Sequence, residues 1–379
     1  MLKNKTSVMA AAAAAVMLVP MVASAATQGG YALASYTGKD FKTVSNTKTT
    51  KKVYKYGYSA KYQAKHTFET KKNTITSTKN VNGAKVSFKT NFFMPVTNKK
   101  SGDWGNPQSM AMSKNDKYMY VLYTVKEGSN TGWVIRYNMA GLKKYKISSS
   151  YVRKAFSYHQ QGSSNKAQKK AYNKVKPFIK VGKKFTAGHG QSLAMNPKTG
   201  QLWEIKDTNM NPKKGAYATI QRIDPSSLKP TGSVKFRLSP TTNMGHNLTF
   251  DKDGNAYFYT YVTSNGGTGK KGNVKIYKGN IATNKVSFSL VMQGLKYNAG
   301  THSQSMSYNA KKNELMFVAD GSLQSIPVAK LGSLTAKDVR ETVFNKTKRE
   351  FETVQFDSKG YAYLMTNRGP EILKSVKPY

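Results

Sequence analysis

The chain has 379 residues, with 61 Lys and Arg against 18 Asp and Glu, a formal net charge of +43 and no cysteine. Lack of cysteine excludes disulfide staples, so stability must come from an ordinary packed core. Beyond the N-terminal segment no run of about 18 apolar residues remains to span a bilayer.

In chain order, the first element is "MLKNKTSVMAAAAAAVMLVPMVASAA". Two early lysines, a short alanine-rich apolar run and small residues around Ala23 to Ala26 predict a signal peptide over residues 1–25. An uncleaved anchor is the alternative. The mature chain is then exported, and its charge attracts polyanions through a field that salt screens. An exported protein meets teichoic acids and anionic lipids of a Gram-positive envelope, so no nucleic-acid partner is expected. Residues 26–80 are rich in Lys, Thr, Tyr and Ser with little apolar periodicity. They read as a basic N-terminal extension, whether a tail, a short extra sheet or a wall-facing segment.

From residue 81 onward the chain repeats. Five stretches align: "QSMAMSKNDKYMYVLYT" from Gln108, "QSLAMNPKTGQLWEIKD" from Gln191, "HNLTFDKDGNAYFYTYV" from His246, "QSMSYNAKKNELMFVAD" from Gln304 and "ETVQFDSKGYAYLMTN" from Glu352. Each has a short alternating strand, a polar turn and a second strand rich in aromatic and β-branched residues, which is hairpin chemistry. Third strands follow in "GWVIRYN", "YATIQRID", "NVKIYKG" and "EILKSV", and fourth strands in "TGSVKFRLS" and "KVSFSLVMQG". Units of this kind predict an all-β fold, a five-bladed β-propeller over residues 81–379. The long first interval contains a basic insertion, residues 148–177, that reads as helix or loop. The last unit has only three strands. "AKVSFKTNFF" (residues 84–93) is the expected donor of the fourth, because its "KVSF" repeats the one at 285–288 and closure removes an exposed edge.

Inner strands of a propeller surround its axis, so their first residues crowd one channel mouth. Aligned by blade they are Asn106 and Gln108, His189 and Gln191, His246, His302 and Gln304, Glu350 and Glu352. Two of only five histidines thus stand at equivalent places, each two residues ahead of a glutamine, and period two points both to one side. One reading is a ligand-binding ring, where imidazole and carboxylate suit a divalent cation; the metal, if any, is unknown. The other is a structural ring of hydrogen-bonded polar residues. Both stay open.

Other chemistry is thin, and no catalytic residue is assigned. Sequence patterns for a nucleophile elbow, a zinc-protease helix or a phosphate loop do not occur. "DKDGN" (251–255) lacks a twelfth-position calcium ligand and shares its place with "DSKG" and "NPKTG", so it reads as a turn. "NGGTGKKGN" (265–273) reads as a flexible basic loop, and Trp104, Trp133 and Trp203 as core. A glycan hydrolase would need paired carboxylates from separate strands, whereas Glu350 and Glu352 share one.

"GHGQSLAMN", "THSQSMSYN", "DKDGNAYFY" and "EFETVQF" resemble, in their order over residues 100–379, the helveticin J family of large bacteriocin proteins. The resemblance implies a bacteriocin-like protein, or a relative kept on the producer's surface in association with S-layer protein, and carries over no catalytic residues; no enzymatic activity is expected. The signal peptide, the stronger basic excess and the N-terminal region depart from that family's pattern and favour a wall-bound role. The expected function is therefore that of a secreted, helveticin J-like bacteriocin or S-layer-associated surface protein that binds anionic wall polymers through its strongly basic surface. A non-bactericidal adhesion module and an axial glycan hydrolase are the alternatives.

Overall fold

In the computed structural model the described residues are 25–34, 42–48, 72–95, 105–125, 129–147, 150–160, 162, 164–206, 216–242, 245, 247–262, 270–291, 293–345, 347, 349–367 and 369–379. Residues 1–24 of the expected signal, Trp104, His246 and residues 265–269 of the basic loop lie outside them.

Five sheets, antiparallel in their inner strands, form the five blades of a β-propeller. Blade 1 runs Asn106–Met112, Tyr118–Thr124, Thr131–Asn138, with Ile179–Val181 and Phe185–Thr186 sharing its outer edge. Blade 2 runs Ala194–Met195, Leu202–Ile205, Ala218–Ile223, Pro230–Arg237. Blade 3 runs Thr249–Phe250, Ala256–Tyr261, Val274–Ile281, with Val286–Leu290 and Gln293–Leu295 outside. Blade 4 runs Ser303–Asn309, Glu314–Ala319, Ser322–Pro327, Arg340–Val343. Blade 5 runs Glu350–Phe356, Ala362–Asn367, Glu371–Ser375, and takes Ser87–Phe93 as its fourth strand.

The second strands show why blades stack. Successive side chains of a strand point to opposite faces, and both faces of a blade meet another blade. "YMYVLYT" therefore carries no polar alternation: Met119, Val121 and Tyr123 pack towards blade 5, while Tyr120 and Leu122 pack towards blade 2. Five apolar clusters fill the five interfaces between blades. Trp133 and Trp203 lie in two of them, buried as the sequence reading expected.

The hairpin turns explain the repeated polar residue after each first strand. Asn196, Asp251, Asn309 and Asp357 each accept backbone N–H groups of their own turn at 2.9–3.3 Å. Asp251 also accepts from Asn255 at 2.8 Å and from the Tyr257 hydroxyl at 3.2 Å. The "DKDGN" carboxylate is thus spent on its turn.

Ring closure follows the expected route. Ser87–Phe93 pairs antiparallel with Glu371–Ser375, Phe88 opposite Ser375 and Phe93 opposite Glu371. Phe88, Phe92 and Phe93 are fully buried, a gain of about 1.5–3 kcal/mol for each ring. The insertion supplies a clamp over this seam. Its helices α1 (Tyr151–Gln160) and α2 (Lys166–Val175) pack through Phe156 and Tyr172, ring centroids 5.1 Å apart. From α1 the buried Arg153 donates to the carbonyls of Met94 (2.9 Å) and Pro370, on the two sides of the closure.

The segment read as an N-terminal extension adds outer strands to four blades. Ala26–Tyr31 runs parallel to Pro230–Arg237 on blade 2, and Lys42–Val44 parallel to Gln293–Leu295 on blade 3. Thr74–Thr76 pairs with Ser87–Phe93 on blade 5, and Lys79–Val81 with Arg340–Val343 on blade 4.

Candidate site: the axial polar ring

In three blades the innermost ladder bulges at the same place: between Pro107 and Ser109, Ser303 and Met306, Phe351 and Thr353. A bulge re-aims the extra side chain, and here Gln108, Gln304 and Glu352 sit at or beside it. Blade 2 reaches the same end differently. Its first strand is only two residues long, and the Ser192 hydroxyl spans the gap, accepting from Ile205 N–H at 2.8 Å. In blade 3 the Asn247 side chain does this by accepting from Tyr259 N–H at 2.9 Å.

The result is a hub. Nε2 of Gln191 lies 2.9 Å from Oε1 of Gln108, 3.0 Å from Oε1 of Gln304 and 3.0 Å from Oε2 of Glu352. One side chain thus joins four of the five blades. All four residues are buried. An amide nitrogen carries two hydrogens, so Gln191 serves two of its three acceptors at a time. Its own Oε1 has no partner among the described residues.

Blade 5 extends the ring. Asn367 donates through Nδ2 to Oε1 of Glu352 at 3.0 Å and to Oδ1 of Asn106. Asp320, at the end of blade 4's second strand, accepts from Phe351 N–H at 2.9 Å. Burial first, and then the neighbouring carboxylates Glu350 and Asp320, push the Glu352 carboxyl well above its ordinary range against the hydrogen bonds of Asn367 and Gln191. A neutral Glu352 brings a hydroxyl donor into a cluster short of donors.

Of the residues singled out from sequence, Asn106, Gln108, Gln191, Gln304, Glu350 and Glu352 are all buried. Gln108, Gln191, Gln304 and Glu352 meet directly, and Asn106 joins through Asn367. His189 is half-buried and His302 exposed, so the two histidines are less enclosed than the glutamines two residues on. The simple period-two expectation meets a bulge in blade 4, which separates the surroundings of His302 from those of Gln304. Asp320 and Asn367 were missed. Each is a polar residue at the end of a mainly apolar second strand, "ELMFVA" before Asp320 and "AYLMTN" ending in Asn367, and that break was the available signal. Among the described residues no three His, Asp or Glu side chains gather as a metal site.

A second buried carboxyl stands away from the hub. Glu204 accepts from Nε2 of Gln221, which also donates to the Thr186 carbonyl of blade 1 at 2.9 Å. Burial pushes Glu204 well above the usual carboxylate range. This contact joins blades 1 and 2 as the hub joins the first strands.

No protein-family model and no characterised protein sequence matches the chain. Similar solved structures are propeller proteins. TolB from Acinetobacter baumannii has a TM-score of 0.35 and 8% identity over 80% of this chain, which spans 63% of TolB. YCF48 bound to D1 peptide has a TM-score of 0.31 and 15% identity over 77% of this chain and 72% of its own. The periplasmic gluconolactonase PpgL of Pseudomonas aeruginosa has a TM-score of 0.31 and 11% identity over 72% of this chain and 68% of its own. Overlaps at this level carry no argument about activity.

Proposed function

We propose that the chain is an exported, helveticin J-like surface protein that binds anionic wall polymers such as teichoic acid, beside S-layer protein, on a Gram-positive cell. The observation that carries this is the net charge of +43 on a 379-residue chain, mounted on a closed ring of blades. Helix α2 supports it. Lys166, Lys169, Lys170 and Lys174 share one exposed helical face, and the helix contains no acid. Charges so placed favour a polymer of repeated anions over a single small ligand. No helix among the described residues is long and apolar enough to cross a membrane.

The axial ring supports a scaffold role. Glu352 and the neighbouring Glu350 and Asp320 are all buried, and the Glu352 oxygens accept from the amides of Gln191 and Asn367, whereas glycan hydrolysis needs two carboxyl groups open to one sugar across about 5–9.5 Å. The bactericidal reading rests on the sequence resemblance. A spot-killing assay with purified protein, run beside a salt wash of producer cells, tests both. Release by salt without killing is the expected outcome. Killing of competitor strains favours the bacteriocin reading, and retention through high salt removes the wall-polymer reading.

A further inference from the structure

The N-terminal segment belts four blades with its outer strands, and where it crosses from blade 4 to blade 5 it borders a pocket of about 370 Å³. Residues 83–87 form one wall as the chain passes from Lys79–Val81 to Ser87–Phe93, and residues 376–379 form the other. The two walls are tied together, since Val376 N–H donates to the Ser87 carbonyl at 2.9 Å. The floor is blade 4, where Ser325 pairs with Arg340 across the two outer strands.

Four cations line this space: Lys85, Lys312, Arg340 and Lys377. Arg340 is ion-paired with Glu314 beside it. Loss of hydration first, and then the nearby Arg340 guanidinium, lower the Lys312 pKa. At the floor Ser325 is 1% exposed, and its hydroxyl has no hydrogen-bond partner among the described residues. A buried hydroxyl in that state costs free energy until something meets it. The Tyr379 ring stands in the wall, with the Lys312 ammonium 5.9 Å from its centroid and its hydroxyl 3.3 Å from Thr342.

We infer that this pocket binds a phosphate group carried on a short polyol, with Lys312 and Arg340 on the anion, Ser325 donating to it, and Tyr379 against the carbon chain. The volume suits a small organic ligand, and ammonium, guanidinium and hydroxyl donors are the groups that recognise phosphate oxygens. The inference rests on the wall-polymer reading for its biological sense, since a polyol phosphate is the repeat unit of such polymers. Its chemistry is separable from that reading.

The test is calorimetric titration of the full chain with glycerol 3-phosphate at constant ionic strength, with inorganic phosphate and glycerol as parallel probes. Saturable one-site binding of glycerol 3-phosphate is expected, tighter than that of inorganic phosphate, with no signal from glycerol. Lys312→Gln should weaken it about tenfold or more, and Ser325→Ala by a few-fold. Lys285→Gln, at the matching place of the "KVSF" repeat in blade 3, should leave it unchanged. Ser325→Ala removes only a hydroxyl that has no partner among the described residues and so keeps the test valid if Lys312→Gln misfolds. Absence of binding at millimolar glycerol 3-phosphate, or binding indifferent to both pocket variants, overturns the proposal. Equal affinity for inorganic phosphate overturns the role given to Tyr379. Wall binding that persists alongside a failed titration removes the pocket alone; a clean titration alongside salt-indifferent wall binding removes the wall reading alone.

Discussion

Replacing Glu352 with glutamine should make the protein more stable at neutral pH and change it little in acid. Glu352 is buried and its folded pKa is raised, first by burial and then by Glu350 and Asp320. In the unfolded chain the same group titrates near 4.5. Below that value both states hold the proton and no stability is lost. Above it the unfolded state releases the proton while the folded state must keep it, and stability falls by about 1.4 kcal/mol per pH unit until the folded pKa is passed. Glu352→Gln preserves the shape and the contact with Asn367 while abolishing this term. Glu352→Ala instead strands Gln191 and Asn367, at about 1–3 kcal/mol for each unpaired group, at every pH. Urea unfolding of the three proteins at pH 4.5, 6 and 7.5 measures both effects. Glu204 contributes a similar slope to all three and cancels in the differences. If Glu352→Gln keeps the parent's pH slope, or is the less stable protein at pH 7.5, Glu352 is ionised in the hub and the account of the ring is wrong.

Phe92→Ala should cost about 3–5 kcal/mol, since the ring is fully buried between blades 5 and 1 and lies 5.3 Å edge-on to Tyr137; hydrogen exchange should speed up first in residues 371–375. Arg153→Met should cost about 3 kcal/mol by removing the charged donor from the carbonyls of Met94 and Pro370, read by thermal unfolding. His189→Ala combined with His302→Ala should change stability by about 1 kcal/mol or less, because neither side chain is buried; a larger loss would place them inside the structural ring.

Much of this fold is legible in the sequence because a propeller repeats its punctuation. Asn196, Asp251, Asn309 and Asp357 recur because each first hairpin needs a side-chain acceptor for its turn amides. The closing strand announces itself because "KVSF" must do the same outer-strand work on blades 3 and 5. The glutamines of the ring are legible for the same reason of position. The convergence on Gln191 is not, because it depends on bulges that no side-chain pattern records. The belt escapes detection because an outermost strand buries little: Val44 is the one buried residue of Lys42–Val44, and Ile75 that of Thr74–Thr76. Two- or three-residue contacts leave no periodicity to read. Arg153 is hidden differently, as a charged residue in a basic helix that the fold turns inward.

Wall retention by charge, as proposed, makes binding depend on salt and on the wall's own anions. The most direct measurement is binding of the purified chain to isolated walls across a salt series, with a matched set stripped of teichoic acid. Screening shortens from about 8 Å at physiological ionic strength to about 3 Å at 1 M. The account predicts a steep fall in binding over that range and weaker binding to the stripped walls at every salt. Binding that is equal at low and high salt, or equal with and without teichoic acid, would contradict it.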